Sequence, residues 1–105
     1  MSDAFTSRER GFEAKFQLDE EQKFKALARR DRLFGHWVAR QLGRADVDAY
    51  AAEVIASNFD KPGDDDMLAK VRKDLADAGK QVGEGTLQAE LANAFAEAVK
   101  QVINK

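Results

Sequence analysis

The stretch Leu18–Gly43, LDEEQKFKALARRDRLFGHWVARQLG, predicts the longest helix of the chain and decides its fold. At about 100° per residue, its apolar side chains gather on one face. We expect that face to be buried, and its members are Phe24, Leu27, Ala28, Phe34, Val38 and Leu42. Leu33 and Trp37 lie on a neighbouring flank. This flank either widens the buried face or contacts a partner, and periodicity slightly favours the first reading.

The ends and the middle of this helix carry local signals. Asp19 stands three residues before Gln22, which predicts a reciprocal capping arrangement at the start. Gly43 is typical of a C-terminal cap. Gly35 lies inside the helix, where glycine costs about 1 kcal/mol relative to alanine. Such a glycine indicates close packing or a local bend.

Three shorter amphipathic segments follow, separated by breaks that contain glycine or proline. We place them at residues 46–58, at residues 67–81 and from residue 86 to the C-terminus, with the acidic run Asp64–Asp66 capping the middle one. Asp46 and Thr86 are the expected N-caps of the other two.

The fold class predicted is therefore all-α. We expect a small four-helix bundle over residues 18–105, in which Phe59 closes the core at the end of the second helix. Residues 1–17 precede the bundle as a flexible arm, because this segment is polar and has few aliphatic side chains.

Composition excludes several classes of protein. The chain has 105 residues, enough for one core. It has no cysteine, and His36 is its only histidine, which disfavours a metal centre. No phosphate-binding loop, apolar span or signal peptide is evident. We expect a cytoplasmic protein without catalytic residues, cofactor, metal or direct membrane insertion.

The basic charge is concentrated on the first helix. Residues 19–44 carry seven basic and four acidic side chains, whereas residues 45–105 carry seven basic and twelve acidic ones. Such a helix can contact nucleic acid, but a pI of about 5.4 lacks the usual electrostatic footprint. It can equally meet an acidic protein surface. A small helical nucleic-acid- or nucleotide-binding regulatory protein is therefore the alternative, not the preferred reading.

Three phenylalanines interrupt the polar arm. Phe5, Phe12 and Phe16 are spaced by seven and four residues, which places them on one helical face. Arg8 and Glu9 lie at the margins of that face. The pattern is typical of a segment that becomes helical in a partner's groove, although these side chains can also lean on the bundle.

The run FTSRERGFEAKFQLDEEQKFKALARRDRLFGHWVA resembles the zeta subunit, a small alphaproteobacterial inhibitor of the F-type ATP synthase. The similarity lies in Phe5, Arg8, Glu9, Phe12, Glu13, Phe16, Asp19–Glu21, Phe24–Lys25, Ala28–Arg30 and Leu33–Trp37. The resemblance extends over the whole chain, because the length and the four-segment plan are also similar.

This resemblance implies an inhibitor that performs no catalysis. The arm becomes helical and inserts at the interface between catalytic α and β subunits of the ATPase head, with the γ subunit as a further contact. ATP hydrolysis is then blocked more than synthesis. The implied partner-binding residues are Phe5, Arg8, Glu9, Phe12, Glu13, Phe16, Arg30 and Trp37. The protein is expected to be monomeric when free and peripheral to the inner membrane when bound.

Overall fold

The computed structural model describes residues 18–58 and 63–103 of the chain. These residues form four helices: α1 (Glu20–Leu42), α2 (Val47–Ser57), α3 (Asp65–Asp77) and α4 (Glu84–Ile103). The all-α class and the four-helix plan predicted from the sequence are confirmed. Phe59 and the arm, residues 1–17, lie outside the described residues.

Helix α1 has the ends that its sequence predicts. The Gln22 N–H donates to Asp19 Oδ1 at 2.7 Å, and the Asp19 N–H donates to Gln22 Oε1 at 3.2 Å. Gly43 ends the helix with a left-handed backbone, φ 75°. Both ends of the longest helix are thus capped by neighbouring residues of the chain.

The bundle is organised around α1, which packs against α2 and α4. The main core lies between all four helices and is built from large buried side chains that include Phe34, Tyr50, Met67, Leu75 and Leu87. A second cluster joins Ala26 of α1 to Ala98, Val99 and Val102 of α4. The first half of α1 therefore rests on α4, and its second half on the main core.

Gly35 marks the close crossing of α1 and α2. A Cβ atom at this position would lie 2.8 Å from Ala51 Cα, a backbone atom that cannot swing away. The sequence prediction of close packing at Gly35 is confirmed.

Gly35→Ala should therefore destabilise the fold, although alanine favours a helix by about 1 kcal/mol over glycine. The overlap forces the two helices apart, and overpacking of this kind costs about 1–3 kcal/mol. Chemical denaturation of wild type and variant measures the difference. A variant more stable than wild type would show that α2 can move away without loss.

A polar network joins α2 to α3 beside the core. The Tyr50 hydroxyl donates to Asp74 Oδ2 at 2.7 Å, and Lys70 Nζ donates to the same oxygen at 2.9 Å. Lys70 Nζ and the Arg44 guanidinium also lie over the Tyr50 ring, 5.3 Å and 4.9 Å from its centroid. Burial tends to raise the pKa of Asp74, but the two hydrogen bonds outweigh burial and lower it.

Since the Asp74 pKa is lower in the folded than in the unfolded chain, Asp74 stabilises the fold above its unfolded pKa near 4. That contribution disappears as pH falls through the lowered folded value. We expect the free energy of unfolding to fall as pH drops below about 4, and to fall less in Asp74→Asn. Asp77→Asn is the control, because Asp77 forms an exposed pair with Lys73 on the same helix. Equal pH profiles for wild type and Asp74→Asn would contradict this role.

Several local expectations are wrong. Phe24 and Ala28 were expected in the core but are exposed. α3 ends at Asp77 and not at residue 81, because Gly79 takes a left-handed conformation, φ 74°, and the Lys80 N–H returns to the Leu75 carbonyl. α4 begins at Glu84, so Thr86 lies in its first turn instead of capping it.

Two aspartates stand at N-cap positions without capping. Neither Asp46 nor Asp64 makes a side-chain bond to its own helix. The Asp46 carboxylate accepts two hydrogen bonds from Arg44, at 2.9 and 2.7 Å. The Asp64 carboxylate accepts hydrogen bonds from Arg30 of α1. An arginine fork competes successfully with the helix N–H groups because its bonds are charge-assisted.

Candidate functional site

The six arm residues expected to bind a partner lie outside the described residues, so the structure positions the base of the arm instead. Leu18, the first described residue, packs against the cluster formed by Ala26 and α4. Asp19 then caps α1. The arm is thus attached at the end of the bundle where α1 rests on the last turns of α4.

Arg30 is held inside the fold. Its side chain is only 11% exposed, and its guanidinium forms a fork with Asp64 at 2.7 and 3.2 Å. It also donates to Asp31 Oδ1 at 2.8 and 3.0 Å. Burial tends to lower the Arg30 pKa, but the bonds to Asp64 and the charge of Asp31 outweigh it and raise that pKa further.

Asn58 completes this cluster at the end of α2. Its Nδ2 donates to Asp31 and to Asp64, each at 3.3 Å. The four side chains of Arg30, Asp31, Asn58 and Asp64 therefore connect α1 with the end of α2 and the start of α3. We call them the Arg30 cluster, and it fixes the level on α1 at which α2 ends and α3 begins.

Trp37 lies seven residues after Arg30, which places both on one side of α1. It is half-buried, packs against the main core and stacks on Phe34 with ring centroids 6.2 Å apart. Leu33 is half-buried against both clusters. The reading that Leu33 and Trp37 widen the buried face is therefore confirmed, although part of Trp37 stays open to solvent.

His36 is the remaining candidate for chemistry. Its Nε2 lies 2.8 Å from Asp48 Oδ1, a contact between α1 and α2. No group of three or more histidine, aspartate or glutamate side chains within residues 18–58 and 63–103 is arranged to hold a metal ion. His36 therefore links α1 to α2 through Asp48.

Sequence reasoning missed two features of α1. Asp31 is 8% exposed, the single buried charged residue of the described part of the chain. Phe24 is 75% exposed. One signal was available for the first: the adjacent Arg30 supplies the opposite charge that a buried carboxylate needs. None was available for the second, since periodicity gives the direction of a side chain and not what lies beside it.

No helix of the described residues is both long enough and apolar enough to cross a membrane. The other basic residues of α1 and its C-terminal loop are partly neutralised within the chain: Lys25 pairs with Glu21, and Arg44 with Asp46 and Glu53. These pairs reduce the positive charge that the first helix offers to a polyanion such as nucleic acid.

Residues 1–101 match a family model described as ATPase inhibitor subunit zeta. None of the curated proteins compared with the chain matches it. The family match begins at the first residue of the arm and extends through nearly all of α4.

Proposed function

The chain belongs to the ATPase inhibitor subunit zeta family, and on this basis we propose that it inhibits the F-type ATP synthase through its arm. Residues 1–17 become helical and insert at a catalytic α/β interface of the ATPase head, with γ as a further contact. The inserted helix blocks ATP hydrolysis. The chain contributes no catalytic group.

The observation that carries this proposal is the extent of the family match. It covers the arm as well as the bundle, and the arm is where Phe5, Phe12 and Phe16 share a helical face. An amphipathic helix binds by laying such a face into an apolar groove. The walls of the groove then exclude water from the rings. Burial of each ring contributes about 1.5–3 kcal/mol to binding, before the entropy cost of ordering the arm is subtracted.

The charged residues of the arm have a different role in this mechanism. Arg8, Glu9 and Glu13 flank the phenylalanine face, where they meet the polar rim of a groove. Rim charges chiefly set orientation and association rate, whereas buried rings set affinity. Arg30 and Trp37, further along α1, would extend the contact through their exposed edges.

A rotary enzyme turns over only if its catalytic interfaces open and close in sequence. A helix wedged in one interface stabilises a single conformation, by as much free energy as its differential affinity for that conformation. The bundle, held at the base of the arm by the Leu18 contact, remains outside the groove. The inhibitor is monomeric when free and lies peripheral to the inner membrane when bound.

The proposal is tested by adding the purified full-length chain to the isolated ATPase head of its own organism. ATP hydrolysis should fall with a saturable, near-stoichiometric dependence. Unchanged hydrolysis in an excess of the chain would exclude the function.

The same complex treated with trypsin reports on insertion, because Arg8, Arg10 and Lys15 are cleavage sites within the arm. Cleavage there as fast as in the free chain would exclude insertion.

A further inference from the structure

The first turns of α1 present a surface that the fold leaves open. Phe24 is 75% exposed, the most exposed of the large hydrophobic side chains described. Ala28 and Arg32 follow four and eight residues later on the same side of the helix, and both are exposed. We call these three residues the Phe24 patch. Aromatic and arginine side chains together are typical of the centres of protein interfaces.

The patch is open because α1 extends past its neighbours. The Arg30 cluster marks where α2 ends and α3 begins, and Phe24 lies six residues, about 9 Å, beyond that level. Among the described helices, α4 is the one that accompanies this part of α1, through Ala26. Since Ala26 stands about 200° around the helix from Phe24, the patch faces away from α4.

Arg32 offers a charge that the fold does not use. Lys25, Arg30 and Arg44 each pair with a carboxylate of the chain. Among residues 18–58 and 63–103, no such pair involves the exposed Arg32. The patch thus combines an apolar anchor with an available cation about 12 Å further along the helix, which fits an apolar pocket bordered by a carboxylate.

The geometry at Leu18 identifies the occupant. Leu18, the first described residue, packs on the α4 side of α1, away from Phe24. A partner that holds the arm up to residue 17, by contrast, comes within about 17 Å of Phe24, because three extended residues and four helical rises separate the two positions. A surface so close to a bound segment also acts at high effective concentration, so a modest contact adds measurably to affinity.

We propose that the Phe24 patch is a second docking point on the partner that binds the arm, with Phe24 in an apolar pocket and Arg32 paired to a carboxylate. This inference rests on the proposed function, because it takes the ATPase head as the partner. It adds Phe24 and Arg32 to the contact beyond the arm that the family resemblance implies for Arg30 and Trp37.

The test compares full-length wild type, Phe24→Ala, Arg32→Ala and Arg40→Ala. Arg40 is the matched control, an exposed arginine of α1 that lies sixteen residues beyond Phe24 and about 160° around the helix from it. Inhibition curves on the ATPase head should shift about tenfold to weaker inhibition for the first two variants and not for Arg40→Ala. Melting temperatures should stay within error of wild type, because Phe24 and Arg32 contribute little to the core.

The outcomes separate the two proposals. If Phe24→Ala and Arg32→Ala inhibit as strongly as wild type, the proposal of a second docking point is overturned and the proposed function is unaffected. Failure of wild type to inhibit would overturn both. Sedimentation of the free proteins tests whether a second copy of the chain occupies the patch. If wild type is a dimer, Phe24→Ala is a monomer and inhibition is unchanged, the patch is a dimer interface and the inference is overturned.

Discussion

Phe12→Ala should weaken inhibition of the ATPase by on the order of tenfold to a thousandfold. Phe12 is central in the series Phe5, Phe12, Phe16, so a groove that buries this face desolvates it most completely. Truncation of such an anchor costs about 1.4–4 kcal/mol, which converts to that range of affinity. The measurement is the concentration of full-length chain that halves ATP hydrolysis.

Thr6→Ala is the control for this prediction, because Thr6 lies off the phenylalanine face, about 100° around the helix from its centre. It should leave inhibition nearly unchanged. Thermal melts of both variants complete the experiment. Equal inhibition by wild type and Phe12→Ala would rule out a mechanism in which the arm inserts as a helix with its phenylalanine face buried. A large fall in melting temperature for Phe12→Ala would instead place Phe12 in the core of the bundle.

The helices could be predicted from sequence because their signals are local. Asp19 and Gln22 form the capping box that their spacing indicates, and Gly43 caps the other end of α1. Apolar periodicity likewise identified Phe34 and Val38 as core residues. These features depend on neighbours within four residues along the chain, which the sequence shows directly.

The errors have a common physical origin. Phe24 has the direction of a core residue, but α2 and α3, which help to form the core around Phe34 and Val38, do not extend to its level. Asp46 and Asp64 have the identity and position of N-caps, but each meets an arginine that binds it more strongly. Whether a neighbouring helix ends one turn sooner, or an arginine lies within reach, depends on tertiary packing and leaves no local signal.

The candidate site divides in the same way. The phenylalanine face of the arm is a periodic pattern and could be seen at once, whereas the roles of basic residues could not. Arg30 and Arg32 are two residues apart, and sequence alone does not distinguish them. The structure places Arg30 between two carboxylates and leaves Arg32 exposed. A difference of 200° around the helix decides which arginine serves the fold.

Arg30→Ala should be among the most destabilising single changes in the bundle. The Arg30 and Asp31 side chains are 11% and 12% exposed. Within the described part of the chain, removal of the guanidinium leaves the Asp31 carboxylate buried with one weak amide partner, Asn58. Breaking a buried pair by deleting one member costs about 3–5 kcal/mol, chiefly from the uncompensated charge that remains. Chemical denaturation at neutral pH measures this loss of unfolding free energy.

Two controls give this prediction a mechanism. Arg40→Ala removes an exposed arginine from the same helix and should change stability by no more than about 0.5 kcal/mol. Arg30→Ala combined with Asp31→Asn should recover part of the loss, because the stranded charge is gone. No recovery would mean that the aliphatic stem of Arg30, and not its charge, carries the stability.

An inhibition assay of Arg30→Ala, run well below its melting temperature, separates the two roles of Arg30. A folded variant that inhibits poorly shows that Arg30 also contacts the ATPase. Normal inhibition shows that the role of Arg30 is to hold α1 against the start of α3.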